Sequence, residues 1–269
     1  MFKDIVLAAT KSEASEAAAN VAFAFARKHE ATLVITHVCG LPSHGWGSIE
    51  HLIPSGEVDR IKRQVREYYW NRISDLSDCR IEVVPGVPYC EILRLAHKIN
   101  ADLIVMGSHT KDFAGENRRM TWGMTGSTLE RVSQKAKCPV MIVSRPLPQD
   151  HLDFRNIVAT TDFSYQAECA ISYASQMARH YGAHLHIFHV LDVDLMEQLV
   201  TNEEVEQIKR RMAEEYGDKL KGLQSCTYET WEGTPSLEIL KFARQKNADL
   251  IIMAHHSKEV DPDKAYLGS

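Results

Sequence analysis

The chain is built from two copies of one sequence pattern. Asp4–Val38 aligns without a gap on Asn156–Val190 at a constant offset of 152, and Gly86–His109 aligns on Gly233–His256 at an offset of 147. The second offset also pairs Val58, Ile61, Val65 and Tyr69 with Val205, Ile208, Met212 and Tyr216. Self-similarity on this scale restricts the 269 residues to two domains of one kind. The residues lost between the offsets fall after Val38 and Val190. There the first half carries Leu41-Pro42-Ser43-His44-Gly45-Trp46-Gly47-Ser48, which predicts a loop. Pro146 and Pro148 mark a short polar linker within Arg145–Asp153, and the boundary is placed at Gln149, giving domains 1–148 and 149–269.

Within the first half the apolar period switches repeatedly between strand and helix. Short buried runs at Ile5–Ala9, Thr32–Val38, Arg80–Val84, Asp102–Met106 and Pro139–Val143 predict strands. Helical spacing over Ser12–Lys28, Val58–Leu76, Pro88–Lys98 and Ser127–Ala136 predicts the helices between them, the third opened by its proline. Continuous Val/Ile/Leu strands alternating with helices predict a doubly wound α/β fold, with an open parallel sheet covered on both faces and right-handed crossovers. The second half follows the same order but stops at Gly268-Ser269, so it is expected to lack its last helix and strand and to leave an unpaired edge beside its fourth strand.

Composition narrows the function classes. With 44% hydrophobic and 25% charged residues the chain has enough apolar material for a core. A net charge of −5, with both signs interspersed, offers no basic surface for nucleic acid. The longest apolar runs fall far below the roughly 20 residues that cross a bilayer, so no membrane partner is expected. The short N-terminal run also lacks a signal-peptide pattern, which predicts a cytoplasmic protein. Cys39, Cys79, Cys90, Cys138, Cys169 and Cys226 form no C-x-x-C pair and are expected to be reduced thiols. The 13 histidines, including His44, His51 and His255-His256, match no zinc spacing, and no metal site is expected. His37 and His189 share one repeat position and are expected to be structural.

In a doubly wound sheet, ligands sit outside the carboxyl ends of the strands where the strand order reverses, which directs attention to the segments after strands one and four. After strand one stand Thr10-Lys11-Ser12 and Asp162-Phe163-Ser164; after strand four stand Gly107-Ser108-His109-Thr110 and Ala254-His255-His256-Ser257. Further along come Gly126-Ser127-Thr128 and Gly268-Ser269. A Gly followed by hydroxyl residues at a helix start forms a phosphate cradle, but Ser127 with Glu130 equally forms a helix capping box. Both readings stay open. Arg118 and Arg119, before Gly126, read as a solvated loop or as phosphate or partner contacts. The charged helix Glu203–Lys221 reads as an exposed face.

These residues carry a resemblance. The D-F-S at Asp162–Ser164, the H-V at His37-Val38 and His189-Val190, N-A-D-L-I-[VI]-M at Asn100–Met106 and Asn247–Met253, and G-S-T-x-E-R-V…C-P-V over Gly126–Val140 together resemble two universal stress protein domains in tandem. In nucleotide-binding members of that family an Asp follows strand one and a G-x-x-G-x9-G-[S/T] loop follows strand four. The resemblance implies that Asp162 and the Val190 backbone hold adenine and ribose in the second half, with Ala254 at an early loop position and Gly268-Ser269 at the phosphates. In the first half Thr10, Val38, Gly107, Gly126, Ser127 and Thr128 are the corresponding positions. The sequence departs from the pattern at Thr10, Thr110, Ala254 and Ser257, and with its Asp the second half is the favoured one.

The function expected is therefore regulatory binding of ATP or a similar adenine nucleotide, with Mg accompanying it, in a stress-response protein without dedicated catalysis. No nucleophile elbow, zincin, P-loop or dinucleotide motif occurs; only slow hydrolysis of bound ATP by water is envisaged. The alternative is a nucleotide-free scaffold whose degenerate loops make protein–protein contacts. Pairing of the two domains within the chain, and a homodimer, are the expected assemblies.

Overall fold

A computed structural model of the chain describes residues 1–10, 12–40, 56–108, 127–147, 153–192 and 200–255. They belong to two compact units, Met1–Leu152 and Asp153–Ser269. The expected boundary residue, Gln149, lies outside the described residues.

Unit 1 runs β1 (Asp4–Ala8), α1 (Glu13–His29), β2 (Thr32–Gly40), α2 (Glu57–Ile73), β3 (Cys79–Gly86), α3 (Pro88–Lys98), β4 (Leu103–Gly107), α4 (Ser127–Lys135) and β5 (Val140–Val143). Unit 2 repeats the order as β6 (Asn156–Thr160), α5 (Tyr165–Tyr181), β7 (His184–Asp192), α6 (Asn202–Leu220), β8 (Cys226–Gly233), α7 (Pro235–Gln245) and β9 (Leu250–Ile252). Both sheets are parallel, with strand orders β3-β2-β1-β4-β5 and β8-β7-β6-β9. The expected doubly wound α/β fold is therefore present twice. Among the described residues unit 2 holds no counterpart of α4 and β5, as anticipated, and β9 is only half-buried where β4 is buried.

Element ends moved for local reasons. Ser12 is not the first residue of α1 but its cap, its hydroxyl accepting from the Ser15 N–H; Ser164 does the same for α5 from Ala167. The α2 helix stops at Ile73 rather than Leu76. The β2 and β3 strands run two residues further than the apolar pattern because their ladder continues through Gly40 paired with Gly86.

The repeated N-A-D-L motif is a structural joint. Asn100 and Asn247 adopt left-handed backbone just past α3 and α7, a conformation that asparagine tolerates better than most residues. Ala101 N–H then donates back to the Ala96 carbonyl, and Ala248 to Ala243. The Asp102 carboxylate next accepts from the backbone N–H groups of Lys3 and Asp4 at 2.7 and 3.0 Å, clamping the start of β1 to β4. Asp249 does the same to Arg155 and Asn156 at 2.7 and 3.0 Å.

The cores differ where the repeats differ. In unit 1 Val6, Ala8, Ile104 and Met106 meet Ile92, Leu129 and Val132 on the face covered by α3 and α4. In unit 2 the same face holds an aromatic cluster, with Phe188 stacked on Phe242 at 4.0 Å and Trp231 edge-on to both. Beneath it lie His184 and His186, ring centres 4.2 Å apart, sharing the Thr227 hydroxyl. Burial, then the neighbouring His184 and Lys246, pushes His186 down to about 4, against a smaller upward pull from Glu229.

Two outcomes follow from these contacts. Asp249→Ala strips two backbone N–H groups of their acceptor and is expected to lower the stability of unit 2 by about 1–2 kcal/mol, measured by urea unfolding. As pH falls from about 6.5 toward 4, the unfolded chain takes up a proton that folded His186 refuses, so unit 2 should lose stability through that window. His186→Leu should flatten that part of a stability–pH profile.

Candidate functional site

Strand order reverses between β1 and β4, and beside the ends of these two strands unit 1 holds a cleft of about 170 Å³. Its walls are Ala8, Ala9 and Thr10 at the end of β1, Thr36 and Val38 of β2, Pro88 and Ile92 of α3, Met106 and Gly107 of β4, with Ser15 and Thr128 at helix starts. The last rung between β1 and β2 is the Ala9 N–H to the Thr36 carbonyl, 2.8 Å. In a parallel ladder both polar groups of one residue face the same neighbour and alternate residues alternate sides. Val38, two residues past Thr36, thus presents its N–H and C=O toward the line of β1 beyond the end of that strand. The His37 ring stands 2.9 Å from the Ala9 carbonyl through Nδ1 and holds the turn, the structural role expected of it.

One polar group in the cleft is left over. Thr36 is 1% exposed, and its Oγ1 has no hydrogen-bond partner among the described residues. An orphaned hydroxyl in a largely apolar cleft costs about 1–3 kcal/mol unless a ligand or water satisfies it.

The rim is largely self-satisfied. The Thr10 N–H donates to Ser15 Oγ at 2.8 Å, and the Thr10 hydroxyl lies 3.0 Å from Ser12 Oγ. Gly107 is fixed by packing: a Cβ there would stand 2.5 Å from the Ala14 carbonyl oxygen and 2.8 Å from the Ser15 nitrogen, in the first turn of α1. Thr128 lies in the first turn of α4, where free N–H groups and the helix dipole favour an anion. Ser127 begins that helix, and Gly126 lies outside the described residues, as do Thr110, Arg118 and Arg119.

In unit 2 the counterpart residues meet differently. Asp162 is exposed, and its Oδ1 accepts from the Ser164 N–H at 3.0 Å at the head of α5. The ladder ends on the same rung, Thr161 N–H to the Phe188 carbonyl at 2.9 Å, and the His189 ring approaches the Thr161 carbonyl at 2.7 Å. Phe188, however, stands at the repeat position of Thr36 and is fully buried. Val190 and Ile239, counterparts of the cleft residues Val38 and Ile92, pack against its cluster. The β9 strand leaves the sheet after Ile252, one residue before the counterpart of Met106. Met253 is 57% exposed where Met106 is 4% exposed. Ala254 follows, carrying the Cβ that the Gly107 site excludes. Gly268 and Ser269 lie outside the described residues, as do His256 and Ser257.

Sequence reasoning overlooked Thr36, Phe188 and Arg211. The ungapped repeat alignment had already set Thr36 against Phe188, a small polar residue against a large aromatic one. Arg211 lies over the Phe163 ring at 3.9 Å, a contact between α6 and the turn after β6 that no spacing announces. Among the described residues no group of three His, Cys, Asp or Glu side chains is placed to hold a metal, and no helix is long and apolar enough to cross a membrane. None of the six cysteines is paired in a disulfide. Gly107→Ala should cost about 1–3 kcal/mol in thermal unfolding through its clash with Ala14, while Ala254→Gly should shift the melting temperature far less.

Known proteins align with this geometry across both units. The universal stress protein family model matches residues 1–144 and again 153–269. A universal stress protein from Methanocaldococcus jannaschii is 32% identical over 155 residues, 54% of this chain and 84% of that protein. A second one from the same organism is 29% identical over 89 residues, 33% of this chain and 47% of that protein. The crystal structure of a universal stress protein from Archaeoglobus fulgidus superposes with a TM-score of 0.70 at 21% identity, covering 97% of this chain and 93% of that one. The chain belongs to the universal stress protein family, with two of its domains in tandem.

Proposed function

We propose that the protein is a regulatory module that binds an adenine nucleotide, ATP or a close relative, in the cleft of unit 1. The observation that carries the reading is the buried Thr36 hydroxyl, unpartnered among the described residues, in a cleft that Val38 and the first turn of α4 also line. A volume of about 170 Å³ suits a flat base rather than a whole nucleotide, whose remainder would extend toward the rim. Ala8, Ile92 and Met106 would sandwich the base, and the Val38 N–H and C=O would meet its polar edge. The backbone at Gly107 and the first turn of α4 at Thr128 would receive the phosphates. Mg²⁺, where it accompanies them, would be held mainly by phosphate oxygens and water. Among the described residues that line the cleft none is titratable, and the reading is one of binding and population shift.

The reading differs from the sequence expectation in favouring unit 1 over unit 2. The acid at Asp162 weighs less than the aromatic filling around Phe188. A second reading, a nucleotide-free scaffold, draws on the rim: Thr10 is already partnered, and Gly107 is explained by packing alone.

Thermal unfolding of the full chain with and without ATP, AMP or cAMP separates the two. A nucleotide at 100 times its dissociation constant should stabilise the unit that holds it by about 2.7 kcal/mol. A shift with any of them supports the sensor; superimposable curves with all three, and no heat on titration, favour the scaffold.

A further inference from the structure

We propose that Thr36 is a ligand-contacting residue at the floor of the unit 1 cleft, and that Phe188, its repeat counterpart, is a built-in plug, so that one chain binds one nucleotide. The inference rests on the nucleotide reading and adds to it which residue the base touches and why the duplicate site is silent.

Three observations carry it. The two residues occupy the same rung, each offering its carbonyl to the last N–H of the neighbouring strand, Ala9 in unit 1 and Thr161 in unit 2. The backbone at this rung is therefore shared, and the side chain it carries differs. In unit 1 that side chain is short, buried and unsatisfied, and it lines the cleft. In unit 2 it is a phenyl ring, fully buried, stacked on Phe242 within 1° of parallel, with the Trp231 ring perpendicular to it at a centre-to-centre distance of 5.5 Å. Phe242 stands where unit 1 has Leu95, and Trp231 where it has Val84. Three positions on one face of unit 2 are thus enlarged together. A ring held this way resists displacement: removing a buried aromatic from a packed core is among the most damaging single changes. A base entering unit 2 would have to break that stack, whereas in unit 1 it would supply the partner that the Thr36 hydroxyl lacks.

The test is isothermal titration of the intact chain with ATP, with circular dichroism confirming that each variant is folded. Wild type should bind one equivalent. Thr36→Val, which keeps shape and loses the hydroxyl, should bind one equivalent about tenfold more weakly. Thr36→Phe should bind none, and Asp162→Ala should bind as wild type does. Folded Phe188→Thr should gain a second, weaker equivalent. Two equivalents in wild type, unchanged affinity in Thr36→Val, or binding abolished by Asp162→Ala would overturn the inference while leaving nucleotide binding itself intact. A folded Phe188→Thr chain that still binds a single equivalent would overturn the plug. No binding of ATP, AMP or cAMP by wild type would overturn the functional reading and this inference with it.

Discussion

A single backbone hydrogen bond, from the Ala9 N–H to the Thr36 carbonyl, decides where the unit 1 cleft begins. Below that rung β1 is sealed to β2 on one side and β4 on the other, and the β1 side chains Ile5–Ala8 are buried. Above it β1 ends and α1 begins, while β2 continues through Val38 to Gly40. The continuing strand exposes backbone polar groups that no neighbouring strand can pair, and the departing chain leaves space beside them. The His37 ring against the Ala9 carbonyl and the Ser12 cap on α1 hold the departure in place. A binding crevice is thus a by-product of strand order, before any side chain has been chosen for recognition.

The duplicate unit shows which parts of that arrangement are scaffold and which are recognition. The terminal rung, the histidine on the turn carbonyl, the serine cap and the aspartate clamp between the first and fourth strands all recur with nearly equal distances. They maintain the doubly wound frame and are indifferent to ligand. What changes is the lining: Thr36 becomes Phe188, Leu95 becomes Phe242, Val84 becomes Trp231, and Gly107 becomes Ala254. These substitutions act together, because a larger ring on β7 needs aromatic partners on α7 and β8 to fill the same layer at core density. Among the described residues one copy lines a cleft at this layer, and the other fills the same layer with stacked rings.

Much of this was legible in the sequence, and the failures have physical causes. The order of elements and the parallel sheet followed from apolar periods that packing on both faces enforces. The N-A-D-L motif was visible as a repeat, yet its meaning required knowing that Asn100 turns left-handed and that the Asp102 carboxylate reaches across 98 residues to the Asp4 N–H. Gly107 was noticed as a phosphate-loop glycine, whereas the approach of the Ala14 backbone already demands it. Asp162 drew attention as an acid in a family position, but a lone carboxylate cannot reveal from sequence that it accepts from the N–H two residues on. Thr36 escaped because threonine suits a strand, so that Leu33-Val34-Ile35-Thr36 reads as ordinary core. Its unpartnered hydroxyl and its place in the cleft wall together distinguish it.

The central claim is that the chain has one open and one filled cleft. Amide hydrogen exchange of the intact protein with and without saturating ATP tests it most directly. The account predicts added protection in unit 1, centred on Val38, Gly107 and the first turn of α4, with the β6, β7 and α5 amides of unit 2 unchanged. Protection confined to Asp162–Ala167 and Val190, with unit 1 unaffected, would contradict it.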